Sequence, residues 1–474
     1  MEFCVFDKCC LQNRECSVMV IVQSFCSLCV LLLIGKFLRS SIPLFRKLYL
    51  PSSVIGGTIG LLILTWWGDS VPSGCTAGWG SLPGFLINIV FAALFLGASM
   101  PKIKGMWRMT GTQVAFGQIC AWGQYVVGLG ITMLILVPFF HVTPLFGNLI
   151  EIGFEGGHGT VGGLSETFSV LGWEEGKDLG FATATAGLIV GIVLGTALIN
   201  WAHWKGILKN IRRTEDAERL EQLGFYSPEK ERPSAGVQTV YSDSLDSLAF
   251  HISIFGLALL VGLGLKEFFM FCDPYFPESF QKLRIFQSFP LFPFCMIGGL
   301  IVQMILRQLR LETFVDGGQI NRIAGASLDF LVVSAVASIR LDFVAEYWLP
   351  LLLLIVSGTV WNLFCVLFIA PRIFKRDWFE RAIAEFGQMS GVTATGLLLL
   401  RTADPENKTS AMTAFGSKQM FHEPIMGGGL WTSMALPLVL SLGGWAVFWI
   451  SVAAIVVFAV LWLFCFRELP EVCE

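Results

Sequence analysis

The chain has 474 residues, 54% of them hydrophobic and only 14% charged. Soluble domains carry about 25% charged residues, so a wholly water-facing surface is excluded and an all-α, polytopic integral membrane protein is the class that remains. The net charge of −3 comes with no basic stretch, which leaves no footprint for nucleic acid, and the thirteen scattered cysteines show no zinc-type pairing, most of them reading as small buried hydrophobes.

A membrane helix needs about 20 mostly apolar residues. Charge-free runs of that order occupy 17–35, 48–68, 70–101, 109–150, 179–204, 247–265, 285–306, 347–371 and 424–466. A further apolar stretch at 324–345 contains Asp329, Arg340 and Asp342. The first run is long for a signal peptide and leads into more spans, so it reads as the first membrane helix. Splitting the last run near Gly443-Gly444 predicts about eleven membrane helices.

Positive charge in short loops sets orientation. Arg39 follows the first span, Lys102 the third, Lys205 the fifth, Arg307 the seventh and Arg372 the ninth. The loop at 69–81 carries no Lys or Arg, nor does the segment after the fourth span up to Lys177. The alternation places the N-terminus outside, a polar 205–246 linker in the cytoplasm and, with the extra last helix, the C-terminus in the cytoplasm.

After the linker the pattern restarts. Pro51 to Gly56-Gly57 is echoed by Pro293 to Gly298-Gly299, Phe85-Leu86 by Phe330-Leu331, and Phe154–Gly159 by Phe386–Gly391. The order is the same in both halves. Five spans precede the linker, so the second half starts on the opposite side of the membrane and the two halves are inverted repeats. The predicted organisation is a first repeat at 1–204, the linker at 205–246, a second repeat at 247–442, and an extra helix with the C-terminal tail at 443–474. Secondary transporters recurrently use inverted repeats, with the substrate site at their interface.

Two segments are too polar and glycine-rich for ordinary spans, one at about 151–172 and one at about 385–403. The first contains Gly157-His158-Gly159-Thr160-Val161-Gly162, a formal G-x-G-x-x-G match. A dinucleotide loop requires a strand before it and a helix after it in a βαβ unit, whereas this segment follows a charge-free run from 109 to 150. The pair reads as opposed re-entrant loops, whose glycines allow tight turns and leave backbone N–H and C=O groups for an anion or a cation. The alternative is two ordinary water-exposed loops.

The chain resembles the bacterial sodium:glutamate symporters. The resemblance rests on Gly156-Gly157-His158-Gly159-Thr160, Phe181–Gly187, Gly56-Gly57, the Ser327–Asp342 stretch and the second Gly-rich segment, and it extends from about residue 18 to 442. It implies two inverted five-helix repeats with paired re-entrant loops, a homodimer, a bacterial inner-membrane location, and sodium-driven uptake of glutamate or a related anionic amino acid. Alternating access in a bilayer with Na+ as coupling ion, no cofactor and no enzymatic activity follow from it. Two departures stand out: Gln388-Met389-Ser390-Gly391 lacks the Gly-Gly-x-Gly run of the family, and the helix at about 445–466 is extra. A proton-coupled or exchange carrier for another amino acid or organic anion is the alternative.

Candidate substrate-binding residues are Gly156, Gly157, His158, Gly159, Thr160, Ser390, Gly391, Thr393 and Thr395, the hydroxyls having the alternative of bonding their own helix. Arg340 is either a guanidinium for a substrate carboxylate or a helix-end residue that snorkels or pairs with Asp342. Asp329 and Ser327 are candidate sodium ligands through hard oxygens, or simply residues at a helix start. Glu155 and Glu385 are candidates for a site mouth or for solvated loop carboxylates. Lys418, His422 and Glu423 either pair within a broken helix or face water.

Overall fold

The computed structural model describes residues 3–48, 50–97, 103–208, 234–276, 285–405 and 407–466, with a few positions between 220 and 232 and residue 281. Lys102, about half of the predicted linker and the tail beyond 466 lie outside the described residues. The described residues form helices and no strands.

The principal helices are α1 (Phe3–Ser41), α2 (Ser52–Trp67), α3 (Leu82–Ala92), α4 (Ile103–Ile131), α5 (Leu149–Phe154), α6 (Gly157–Gly163), α7 (Glu175–Trp204) and α8 (Ser247–Cys272). They continue with α9 (Phe292–Gln308), α10 (Gly317–Ala337), α11 (Trp348–Phe364), α12 (Trp378–Ala403), α13 (Ala411–His422), α14 (Leu430–Leu442) and α15 (Gly444–Leu461). Eight helices among the described residues are long and apolar enough to cross a membrane. Seven of them match predicted spans; the eighth, Trp378–Ala403, contains the second Gly-rich segment. The other four predicted spans form the shorter helices α2, α3, α9 and α14. At 1.5 Å per residue these fall short of a 30 Å hydrocarbon core by themselves.

The Gly-rich segments differ from the irregular loops expected of them, because both are mostly helical and sharply broken. The first breaks between α5 and α6, where Gly157 has φ +68°. The second breaks inside α12, at Gly391 and at Val392 with φ 62° and ψ 171°. In a straight helix, residues 387 and 396 would stand about 13.5 Å apart. Here a Cβ on Gly387 would lie 2.6 Å from the Gly396 Cα. α12 therefore doubles back, and two glycines let its halves touch.

Paired glycines also govern how the long helices pack. A Cβ on Gly56 would lie 2.3 Å from the Leu31 carbonyl oxygen of α1, and one on Gly57 would lie 2.7 Å from Val336 Cβ of α10. In the echo motif, a Cβ on Gly298 would lie 2.2 Å from the Ala258 oxygen of α8, and one on Gly299 would lie 2.3 Å from the Ala92 oxygen of α3. Each motif thus seats one glycine on the preceding helix of its own half and the other on a helix of the opposite half. Small residues at such crossings permit backbone contact, the main source of helix adhesion in lipid. Gly298→Leu is expected to cost about 3 kcal/mol, at the upper end for overpacking, because the obstructing atom is backbone. Gly264→Leu, where a Cβ meets nothing within 4 Å, serves as the control. Thermal unfolding in detergent reads both, and equal melting temperatures would refute the packing argument.

α4 and α11 share a further feature. Each passes through a π-helical segment, Thr132–Leu136 and Cys365–Ile369, and each is followed two residues later by a proline, Pro138 and Pro371. Proline removes a backbone donor and crowds the preceding turn, and a π segment re-seats the carbonyls so freed.

Candidate functional site

Three helix breaks converge in the interior. The break at Gly157 abuts the one at Val392, since a Cβ on Gly157 would lie 2.4 Å from Val392 Cγ1. The third separates α13 from α14, with Gly427 at φ +66° and Gly428 at φ +112°. Thr160 Oγ1 donates to the Gly427 carbonyl at 3.2 Å, joining the first break to the third. α7 closes the other side: a Cβ on Gly187 would lie 2.5 Å from the Ser390 oxygen.

The broken backbone brings buried ionisable groups together. Glu385 and Lys418, both with fully buried side chains, form an ion pair at 2.5 Å. Gln113 Nε2 donates to Glu385 Oε2 at 2.9 Å, and Arg381 Nε donates to Gln113 Oε1 at 3.0 Å. Lys418 Nζ also donates to Gln388 Oε1 at 3.0 Å. His422 Nε2 faces Glu155 Oε1 across 267 residues of sequence. Glu151 accepts from Tyr125 OH at 2.6 Å, Thr432 Oγ1 at 2.7 Å and the Gly427 N–H at 2.8 Å. Thr393 Oγ1 donates to Glu423 Oε1 at 2.6 Å.

Most of the predicted binding residues lie in or beside this crossing. Gly156, Gly157, Gly159 and Thr160 are buried there, as are Ser390, Gly391 and Thr395. Asn362 Nδ2 donates to Ser390 Oγ at 3.1 Å. His158 is buried, with Nε2 2.9 Å from Thr185 Oγ1 and its ring stacked on Phe181. Thr185 Oγ1 spends its proton on the Phe181 carbonyl at 2.9 Å, so His158 Nε2 is the donor to it.

Other predicted residues lie elsewhere. Arg340 caps a short helix, and both its backbone N–H and Nε donate to Asp178, at 2.9 and 3.0 Å. Its guanidinium also sits over the Phe343 ring. Asp178, near the start of α7, is therefore its acidic partner, rather than Asp342. Ser327 is buried on α10 and Asp329 is exposed, with Ser53 of α2 as the latter's hydrogen-bond partner. Glu155 and Glu385 are buried and bonded, not solvated. Lys418 and His422 take the paired reading, their partners being Glu385 and Glu155 rather than each other.

Sequence reading passed over Gln113, Gln118, Gln124, Tyr125, Asn362, Gln419 and Thr432, and gave no role to Glu151 or Gln388. One signal was present: Gln113 and Gln124 are eleven residues apart in an apolar run, about three helical turns, and so share a face. Gln124 Nε2 donates to the Met389 carbonyl at 2.6 Å and to Asn362 Oδ1 at 3.0 Å. It thus satisfies a carbonyl just before the break in α12. Among the described residues no group of three or more His, Cys, Asp or Glu side chains is placed to hold a metal ion. A cation here would need mixed oxygen donors.

A family model for the sodium/glutamate symporters matches residues 18–395, a range that includes the first Gly-rich segment and the second as far as residue 395, and ends before α13. A sodium/glutamate symporter of Haemophilus influenzae is 22% identical over 369 residues, covering 74% of this chain and 80% of that protein. A sodium/glutamate symporter of Escherichia coli is 29% identical over 173 residues, covering 35% of this chain and 40% of that protein. The family is one of membrane transporters and not of enzymes, and its model covers most of the chain, including the breaks at Gly157 and at Gly391-Val392: this chain belongs to the sodium/glutamate symporter family.

Proposed function

We propose that this chain is a secondary active transporter that carries glutamate, or a related anionic amino acid, together with sodium. The match of the family model across residues 18–395 carries the reading. The interior supports it: three helix breaks surround buried charges that an ordinary bundle would avoid, and ionisable groups at membrane depth are functional candidates by default.

Hydroxyls of Thr160, Ser390 and Thr393, with backbone groups around Gly156–Gly159 and Gly391, suit the substrate's carboxylates. The buried glutamates suit its ammonium and the coupling cation. Arg340 is bonded to Asp178 and has no role in this reading of the centre. The repeats at 1–204 and 247–442, inverted and each bearing a re-entrant hairpin, are supported by the reciprocal glycine contacts and by the doubled-back α12. Alternating access, a homodimer in a bacterial inner membrane, an outside N-terminus and a cytoplasmic C-terminus complete the proposal.

Uptake of labelled glutamate into vesicles, with external sodium replaced by choline, tests it. The expected result is loss of concentrative uptake without sodium. Undiminished uptake in choline would remove sodium coupling and favour a proton-coupled or exchange carrier.

A further inference from the structure

Hydrogen-bond roles in the buried cluster establish which charges are compensated. Lys418 Nζ directs its hydrogen bonds at Glu385 Oε1, 2.5 Å away, and Gln388 Oε1, 3.0 Å away. An ammonium only donates, so the Gln388 amide is oriented with Nε2 toward Glu155 Oε1, at 3.4 Å. Trp122 Nε1 also only donates, and its bond to Gln118 Oε1 at 3.0 Å orients that amide as well. Gln118 Nε2 must then donate to His422 Nδ1, 3.1 Å away. A ring nitrogen that accepts carries no proton, so His422 is neutral, with its single N–H on Nε2 and directed at Glu155 Oε1.

Glu155 therefore has only neutral donors, both on Oε1, while its buried Oε2 has no hydrogen-bond partner among the described residues. Glu151 lies one turn earlier, with the Glu155 N–H bonded to its carbonyl at 3.1 Å. Its carboxylate too is held only by neutral groups, those of Tyr125, Thr432 and Gly427. Two buried carboxylates one turn apart, neither hydrogen-bonded to a cation, repel each other and are costly to keep ionised, and the Lys418 ammonium that also acts on Glu155 is committed to Glu385. A positive charge at the open oxygen would offset that cost.

We infer that Glu155 Oε2 is a direct ligand of the coupling sodium ion, with Glu151 supplying a second negative charge behind it. Thr160 Oγ1 and the Gly427 carbonyl, at the adjoining break, offer hard neutral oxygens of the kind sodium takes. A Cβ on Gly427 would lie 3.5 Å from Glu155 Cγ, which places that turn directly against the carboxylate arm. His422 acts as a positioning residue: its N–H holds Oε1 and leaves Oε2 for the ion. His422 and Lys418 both lie beyond residue 395, outside the stretch that the family model matches. The assignment rests on the sodium-coupled reading above and names the ion's ligand.

The test compares wild type with Glu155→Gln and Glu155→Asp in proteoliposomes, measuring sodium half-saturation and, at saturating sodium, the KM for glutamate. Glu155→Gln is expected to raise sodium half-saturation by at least about tenfold, the size of one charge-assisted contact, with a much smaller change in KM. Glu155→Asp should fall between. Should Glu155→Gln fail to fold, sodium-dependent thermal stabilisation without substrate, compared between wild type and Glu155→Asp, gives the same information. An unchanged sodium half-saturation in Glu155→Gln, or unchanged sodium stabilisation in Glu155→Asp, overturns the assignment. Uptake by wild type driven by a proton gradient and indifferent to sodium would instead overturn the transport reading on which it rests.

Discussion

Replacing Glu385 with Gln is expected to destabilise the protein by about 3–5 kcal/mol, the usual consequence of removing one partner of a buried ion pair. The substitution keeps the shape and the acceptor oxygen and deletes only the charge. Lys418, whose side chain is wholly buried, would then hold an ammonium inside the protein opposite a neutral amide. Gln113, which donates to Glu385 Oε2 and accepts from Arg381, would meet an amide in place of a carboxylate oxygen. The double substitution Glu385→Leu with Lys418→Met removes both charges and should recover much of the loss. Thermal unfolding in detergent, followed by the fraction that remains monodisperse, measures all three proteins. A single variant as stable as wild type would show that the pair carries little of the packing around α12 and α13.

Gly157→Ala is expected to lower transport by at least about tenfold while leaving the protein in the membrane. Two separate costs act at this residue. Its φ of +68° is left-handed, which costs an L side chain roughly 1–2 kcal/mol. The new Cβ would also stand 2.4 Å from Val392 Cγ1, where the two breaks touch. Val392 has little freedom to yield, because a β-branched residue at φ 62°, ψ 171° already occupies a region populated almost only by glycine, at a cost of roughly 1–3 kcal/mol. Strain of this kind persists where surrounding structure over-determines it, and such places cluster at binding sites and switches. Adding Val392→Gly to Gly157→Ala removes the collision and relaxes residue 392, so the double variant should regain part of the lost uptake. A double variant no better than the single one would rule out the collision as the cause.

The membrane class, the order of the apolar segments, the two Gly-rich interruptions and the echoed glycine pairs were legible in the chain alone. All are local properties: hydropathy over about 20 residues, and glycine where the backbone turns or helices touch. The same reading singled out Gly157, His158, Thr160 and Ser390 as candidate binding residues, because a polar, glycine-rich stretch between apolar runs has few other uses, and all four are buried. The tertiary structure decided the partners. Glu155 meets His422 from 267 residues away, and Arg340 meets Asp178 from 162 residues away, although Asp342 lies two positions along the chain. It also decided that α12 doubles back instead of crossing as one rod. A buried polar group must find its complement wherever folding brings one within about 3 Å. That requirement is met in space, between helices from opposite ends of the chain, and no local pattern of residues encodes which acid will face which base.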